Sequence, residues 1–98
     1  MMEAVSLSNR LQTVADMVTG RRVADIGCDH GFVSIYLVQA QKADHVLAAD
    51  VRPGPLSRAQ QHIKEVQLTP YIETRLSDGL AGVMPEDRVD TVILAGMG

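Results

Sequence analysis

The sequence predicts an α/β fold, a doubly wound parallel sheet with flanking helices, and three observations predict it. Short apolar runs alternate with stretches whose apolar residues recur at helical spacing. The segments between the runs are long enough to carry a crossover helix, which makes successive strands parallel. Each apolar run also stops at a small, acidic or turn residue, at the strand ends where open parallel sheets collect their ligands.

The elements follow in order. Ser6 or Ser8 caps a first helix through Leu7, Leu11, Val14 and Val18, and Gly20 ends it. Val23 to Ile26 is a strand that stops at Gly27. Phe32 to Gln39 is a second helix, apolar on several sides and therefore packed against a sheet. Val46 to Ala49 is a buried strand ending at Asp50. Pro53-Gly54-Pro55 reads as a turn feeding a third helix through Ala59, Ile63 and Val66. Pro70 precedes a strand from Tyr71 to Leu76, closed by Ser77-Asp78-Gly79. A turn or short helix then leads to a last strand, Val89 to Leu94, ending in Ala95-Gly96-Met97-Gly98. An apolar strand so close to the last residue is an odd finish for such a fold, so the 98 residues read as the N-terminal part of a larger domain.

Composition narrows the function. Nine Lys+Arg against twelve Asp+Glu give a net charge of −3, which excludes a small basic module that binds nucleic acid by charge alone. The uncharged stretch from Gly31 to Gln41 falls well short of the about 20 apolar residues a membrane span needs. The start, Met-Met-Glu-Ala, has neither a basic nor an apolar leader region, so the expected compartment is the cytoplasm. One cysteine excludes an internal disulfide, and no His/Cys/Asp spacing calls for a metal.

Four strand ends of acidic and glycine character would form one cluster along a single rim of the sheet. Gly27 stands where a tight turn or close ligand approach needs glycine. Asp50 follows by about twenty residues, the offset at which a carboxylate meets the ribose hydroxyls of an adenosine cofactor. A dinucleotide loop needs G-x-G-x-x-G, yet Asp29 and Phe32 stand at the second and third glycine positions. A carboxylate at Asp29 repels a pyrophosphate and suits the cationic sulfonium and amino group of S-adenosyl-L-methionine (SAM).

Asp78 reads either as an acceptor for the adenine amino group or as an Asx-turn cap. His30 could orient Asp29, contact a substrate base or cap the next helix. Arg10 either closes over a ligand or lies on a solvated helix face. Met97 either covers an adenine ring or belongs to the core. His45 and His62 read as ordinary surface residues, and Cys28 lies in the loop without a base to make it a nucleophile.

Leu7-Ser8-Asn9-Arg10-Leu11, Ala24-Asp25-Ile26-Gly27-Cys28-Asp29-His30, Gly54-Pro55-Leu56, Asp78-Gly79-Leu80 and Ala95-Gly96-Met97-Gly98 together resemble the bacterial tRNA (adenine(22)-N(1))-methyltransferase family. The resemblance runs over essentially the whole chain. Ser34 departs from it, standing where relatives often carry proline. The resemblance implies a Rossmann-like class I methyltransferase domain whose four strands lie in the order 3-2-1-4. It further implies SAM as cofactor, tRNA as substrate, and a C-terminal helical extension beyond these residues. The cofactor contacts expected on this basis are Arg10, Asp25, Gly27, Cys28, Asp29, His30, Asp50, Val51, Gly54, Ser77, Asp78, Gly79, Ala95, Gly96 and Met97. Asp29, with His30, is the expected catalytic group, accepting from an adenine amino group as positive charge develops. The competing readings are a fragment of an NAD(P)-dependent oxidoreductase and a non-catalytic binding module. The 98 residues alone are expected to lack turnover, and to self-associate through the open edge of the fourth strand.

Overall fold

Two apolar runs form the centre of the sheet because they can be buried on both sides. In the computed structural model, which describes residues 5–94, β1 (Arg22–Ile26) and β2 (His45–Asp50) are buried at every position after the first. Such strands show no polar–apolar alternation. β3 (Ile72–Leu76) buries only its first residue and β4 (Thr91–Ile93) only its last, as suits outer strands. All pairings are parallel and the order is β3-β2-β1-β4, the order the family resemblance implies.

α1 (Asn9–Asp16) is capped by Ser8, whose Oγ accepts from the Leu11 N–H at 3.3 Å. The helix ends at Met17, short of Gly20. Val18 keeps its helical spacing by way of a turn, its N–H bonding the Ala15 carbonyl, and is buried all the same. α2 (Phe32–Gln39) starts from Gly31, held at φ +79. A side chain on Gly31 would meet the Cβ of Ala59 at 3.1 Å, so both the backbone conformation and the approach of the next helix call for glycine.

α3 (Pro53–Glu65) corrects the expected turn: Pro53-Gly54-Pro55 is the first turn of the helix itself. Proline fits there because the first helical N–H groups lack partners anyway and its fixed φ is already helical. Between β3 and β4 the chain makes two 3-10 turns, Gly79–Gly82 and Pro85–Asp87. Arg75 ties them to the sheet by donating to the Gly82 carbonyl at 2.7 Å and to both oxygens of Asp87 at 2.7 and 3.0 Å. That guanidinium and the Met84 N–H hold the Asp87 carboxyl at about 2.

The last strand is shorter than Val89 to Leu94. Asp90 is turned to capping: its carboxylate accepts from the N–H groups of Arg21 and Arg22 at 3.1–3.2 Å. The strand therefore starts at Thr91, two residues later than expected. Ala95 to Gly98, which the sequence reading placed at the site, lie outside the described residues.

The two faces of the sheet are unequally covered. Val23, Val46, Ala48, Ile72 and Ile93 pack with residues of all three helices in the main core. Strand alternation turns Ala24, Ile26 and Ala49 to the other face, where, among the described residues, Val83 and Val89 of the segment leading to β4 pack against them. Val92 and Leu94 stay about half exposed at the outer edge. No helix among the described residues is long and apolar enough to cross a membrane.

Candidate functional site

The carboxyl ends of β1, β2 and β3 meet at a single backbone turn. After Ile26 the chain bends at Gly27 (φ +75), and the N–H groups of Gly27 and Cys28 both bond the Ala49 carbonyl at 2.8 and 2.9 Å. This pins the β1 loop to the end of β2. Asp29 continues it at φ +52, a left-handed conformation that Asp tolerates better than most residues.

Asp50, at the end of β2, is 2% exposed. Its Oδ2 accepts from the Asp29 N–H at 3.0 Å, and its Oδ1 from the Arg52 N–H at 2.9 Å. The Arg52 guanidinium adds Nε at 3.2 Å and Nη2 at 3.3 Å. Burial pushes this carboxyl up, but the Arg52 side chain, the Arg52 N–H and the Asp29 N–H outweigh it. The group is held below the usual carboxylate range and is ionised at neutral pH. Arg52 was not singled out in the sequence, although its place two residues past a strand-end acid is a usable signal.

Asp25, one strand over, is buried to the same degree and has a neutral partner. The Ser34 hydroxyl donates to its Oδ2 at 2.8 Å. Burial dominates here, Asp50 nearby adds to it, and the carboxyl rises to about 6. The departure noted at Ser34 thus has a structural role, as the donor that keeps Asp25 from being a bare buried carboxylate. Cys28 is buried too, and burial together with Asp25, Asp50 and Asp29 pushes its thiol up to about 12, so it is no nucleophile.

The candidate residues divide between two clefts that share Gly27. Arg10, Asp25, Cys28, Asp29 and His30 line one, together with Phe32. Asp50, Val51, Ser77, Asp78 and Gly79 line the other, together with Arg52. The Asp29 side chain is half exposed, 3.9 Å from His30 Nε2 and 3.9 Å from Arg52 Nη2. Asp78 is exposed and makes no capping hydrogen bond, so its carboxylate is not used as a turn cap. Ser77 is consumed locally: its hydroxyl donates to the Gly79 carbonyl at 2.8 Å and accepts from the Gly82 N–H at 2.9 Å. Gly54 sits on the exposed first turn of α3 and lines neither cleft.

His62 is not an ordinary surface residue. It is half-buried, and its Nδ1 donates to the His30 carbonyl at 2.8 Å. Its ring stacks on Phe32 with centroids 4.9 Å apart. A contact between residues 32 positions apart has no signal in sequence spacing. A wider concavity of about 740 Å³, lined by Arg21, Asp44 and Tyr71 among others, lies at the amino ends of the strands, away from the ligand-binding rim of a parallel sheet.

A turn of this kind, with a buried acid at the next strand end and a 3-2-1-4 order, is what a Rossmann-like methyltransferase domain requires. Residues 7–98 match the family model of a methyltransferase domain, and the chain belongs to that family. More particularly, it is 37% identical over 99% of its length to the tRNA (adenine(22)-N(1))-methyltransferase of Bacillus subtilis, of which it covers 41%. The crystal structure of the B. subtilis tRNA methyltransferase TrmK superposes with a TM-score of 0.84 at 34% identity, over 90% of this chain and 38% of that one. TrmK of M. capricolum in complex with the cofactor product S-adenosyl-homocysteine gives 0.73 at 41% identity, over 76% and 33%. The chain therefore spans about two fifths of the length of the curated relative.

Proposed function

We propose that this domain binds SAM across the Gly27 turn and, within the whole enzyme, serves methylation of N1 of an adenine in tRNA, adenine 22 by likeness to its relatives. The observation that carries the reading is Asp50, a buried, ionised carboxylate aimed at the cleft from the end of β2. The donor set fits the cofactor. Asp50 offers two oxygens to ribose hydroxyls, the Gly27 turn admits close backbone approach, and the exposed Asp29 suits a cation. Two of Asp50's four donors are backbone N–H groups and stay in place. The other two belong to the exposed Arg52 guanidinium, so ribose hydroxyls exchange with it. Asp78, free of capping duty, accepts from the adenine amino group of the cofactor. Arg10 closes the cleft of Asp29.

Bound here, SAM supplies an electrophilic methyl group on a cationic sulfur. Adenine N1 already has a free lone pair, so this chain's residues position and stabilise rather than deprotonate. Asp29 accepts from the exocyclic amino group of the target base as positive charge builds on the ring, and His30 steadies Asp29. The base must leave its stack to reach them. The setting for such an enzyme is the cytoplasm, where its tRNA substrate is found.

The test is titration calorimetry of SAM into the protein beside Asp50→Ala, followed by methylation of a tRNA transcript by the full-length enzyme and its Asp29→Ala variant. Heat that disappears in Asp50→Ala supports the cofactor site. Full turnover in Asp29→Ala, with only SAM affinity lost, would remove Asp29 from catalysis. The half-exposed Val92 and Leu94 at the β4 edge also lead these residues to self-associate, and a concentration-independent monomer in light scattering would refute that.

A further inference from the structure

Phe32 is the chain's one phenylalanine, yet it stands 39% exposed on the ridge beside the Asp29 cleft. It forms one wall of that cleft and also one wall of a second cavity of about 350 Å³, shared with Ile35, His62, Glu65 and Val66. Its ring is nearly parallel to both neighbours: 17° from His30 at 5.5 Å, and 20° from His62 at 4.9 Å. His30 and Phe32 come from the β1–α2 loop and the start of α2, whereas His62 comes from α3 and is locked to the loop by its bond to the His30 carbonyl. Phe32 thus presents an exposed aromatic ring, stacked on His62 and fixed from two elements, which a further planar ring can extend.

We propose that Phe32 and His62 form a nucleobase subsite that takes an unpaired base of the RNA next to the target adenine. Aromatic side chains stack unpaired bases of RNA in this way. The cavity is roomy enough for a base and mostly apolar, and Glu65 brings a carboxylate acceptor to its lining beside the hydroxyl of Ser6. That acceptor favours a base with an exocyclic amino group. Phe32 as a shared wall separates two adjacent bases, the target on the Asp29 side and its neighbour on the His62 side. The proposal rests on the reading of RNA as substrate given above.

The experiment places 2-aminopurine immediately beside the target position of a tRNA transcript and follows its fluorescence on binding to the full-length enzyme, with SAM affinity and methylation kinetics measured in parallel. Stacking quenches the probe with the wild type and with Phe32→Trp. Phe32→Ala and His62→Ala lose the quenching and raise the KM for RNA about tenfold, while in His62→Ala, at a position that lines neither cofactor cleft, SAM affinity stays within about threefold. Unchanged quenching and KM in a folded Phe32→Ala protein overturn the proposal. So does a loss of SAM affinity in His62→Ala in step with the rise in KM, since the rings would then only shape the cofactor loop. His62→Phe, which keeps a ring but not the hydrogen bond, guards against loss of fold and retains the quenching. A wild type that quenches the probe but transfers no methyl group leaves the subsite standing and refutes the functional reading instead.

Discussion

Asp25 and Asp50 end neighbouring strands, are 3% and 2% exposed, and nevertheless carry opposite charge tendencies. Asp25 has the hydroxyl and main-chain N–H of Ser34, both neutral, and rises to about 6, whereas Asp50 has a guanidinium and two main-chain N–H groups and falls below its ordinary value. Burial alone therefore does not decide whether a strand-end acid is a ligand-seeking anion; the donors around it do. On the proposed reading, Asp50 is the acid that ribose hydroxyls meet. Asp25 is arranged to hold the β1 end against α2.

Four substitutions sharpen or break this contrast. Asp50→Ala should have the largest effect, weakening SAM binding about a hundredfold through loss of a charged pair of hydrogen bonds. Calorimetry checks it, and near-normal affinity would dissolve the distinction between the two acids. Asp25→Asn should instead stabilise the fold at pH 8 by about 3 kcal/mol. The folded protein keeps the Asp25 proton up to about pH 6, whereas the ordinary value is 3.8. Between these pH values the folded state holds the extra proton, so stability falls as pH rises through the window. The gain from Asn should accordingly vanish below about pH 4, as read by urea unfolding across pH.

Ser34→Ala should destabilise by about 1 kcal/mol at neutral pH, because a buried acceptor loses its donor. That loss should shrink in an Asp25→Asn background if the two side chains act as one pair. Arg52→Ala should have the smallest effect, tightening SAM binding about threefold by removing a competitor held through an exposed ion pair. Weaker binding in that variant would show that Arg52 contacts the ligand rather than yielding to it.

The central strands were legible because they are apolar without alternation, and the Gly27–Asp50 offset pointed to two residues that the fold brings to one rim, where the candidate site is proposed. Pro53-Gly54-Pro55 misled because the same residues serve a turn and a helix N-terminus, and only the partners of the following residues decide between them. α1 ended before Gly20 although Val18 kept its period, since a buried position needs the right direction and not a continued helix. The partners that tune the site were the hidden part. Ser34 lies nine residues from Asp25, and His62 lies thirty-two from His30. Periodicity carries no information at such distances, which only packing closes.

The solitary thiol turns the buried loop into its own clock. Cys28 is shielded and almost wholly protonated at neutral pH, so an alkylating reagent can reach it as a thiolate only when the β1–α2 loop swings away. Its modification rate thus counts openings of the loop, one label per chain. Any ligand that clamps the Gly27 turn should slow that count without touching sulfur, and a mass spectrometer could follow occupancy of the cleft in a mixture where heat or fluorescence could not.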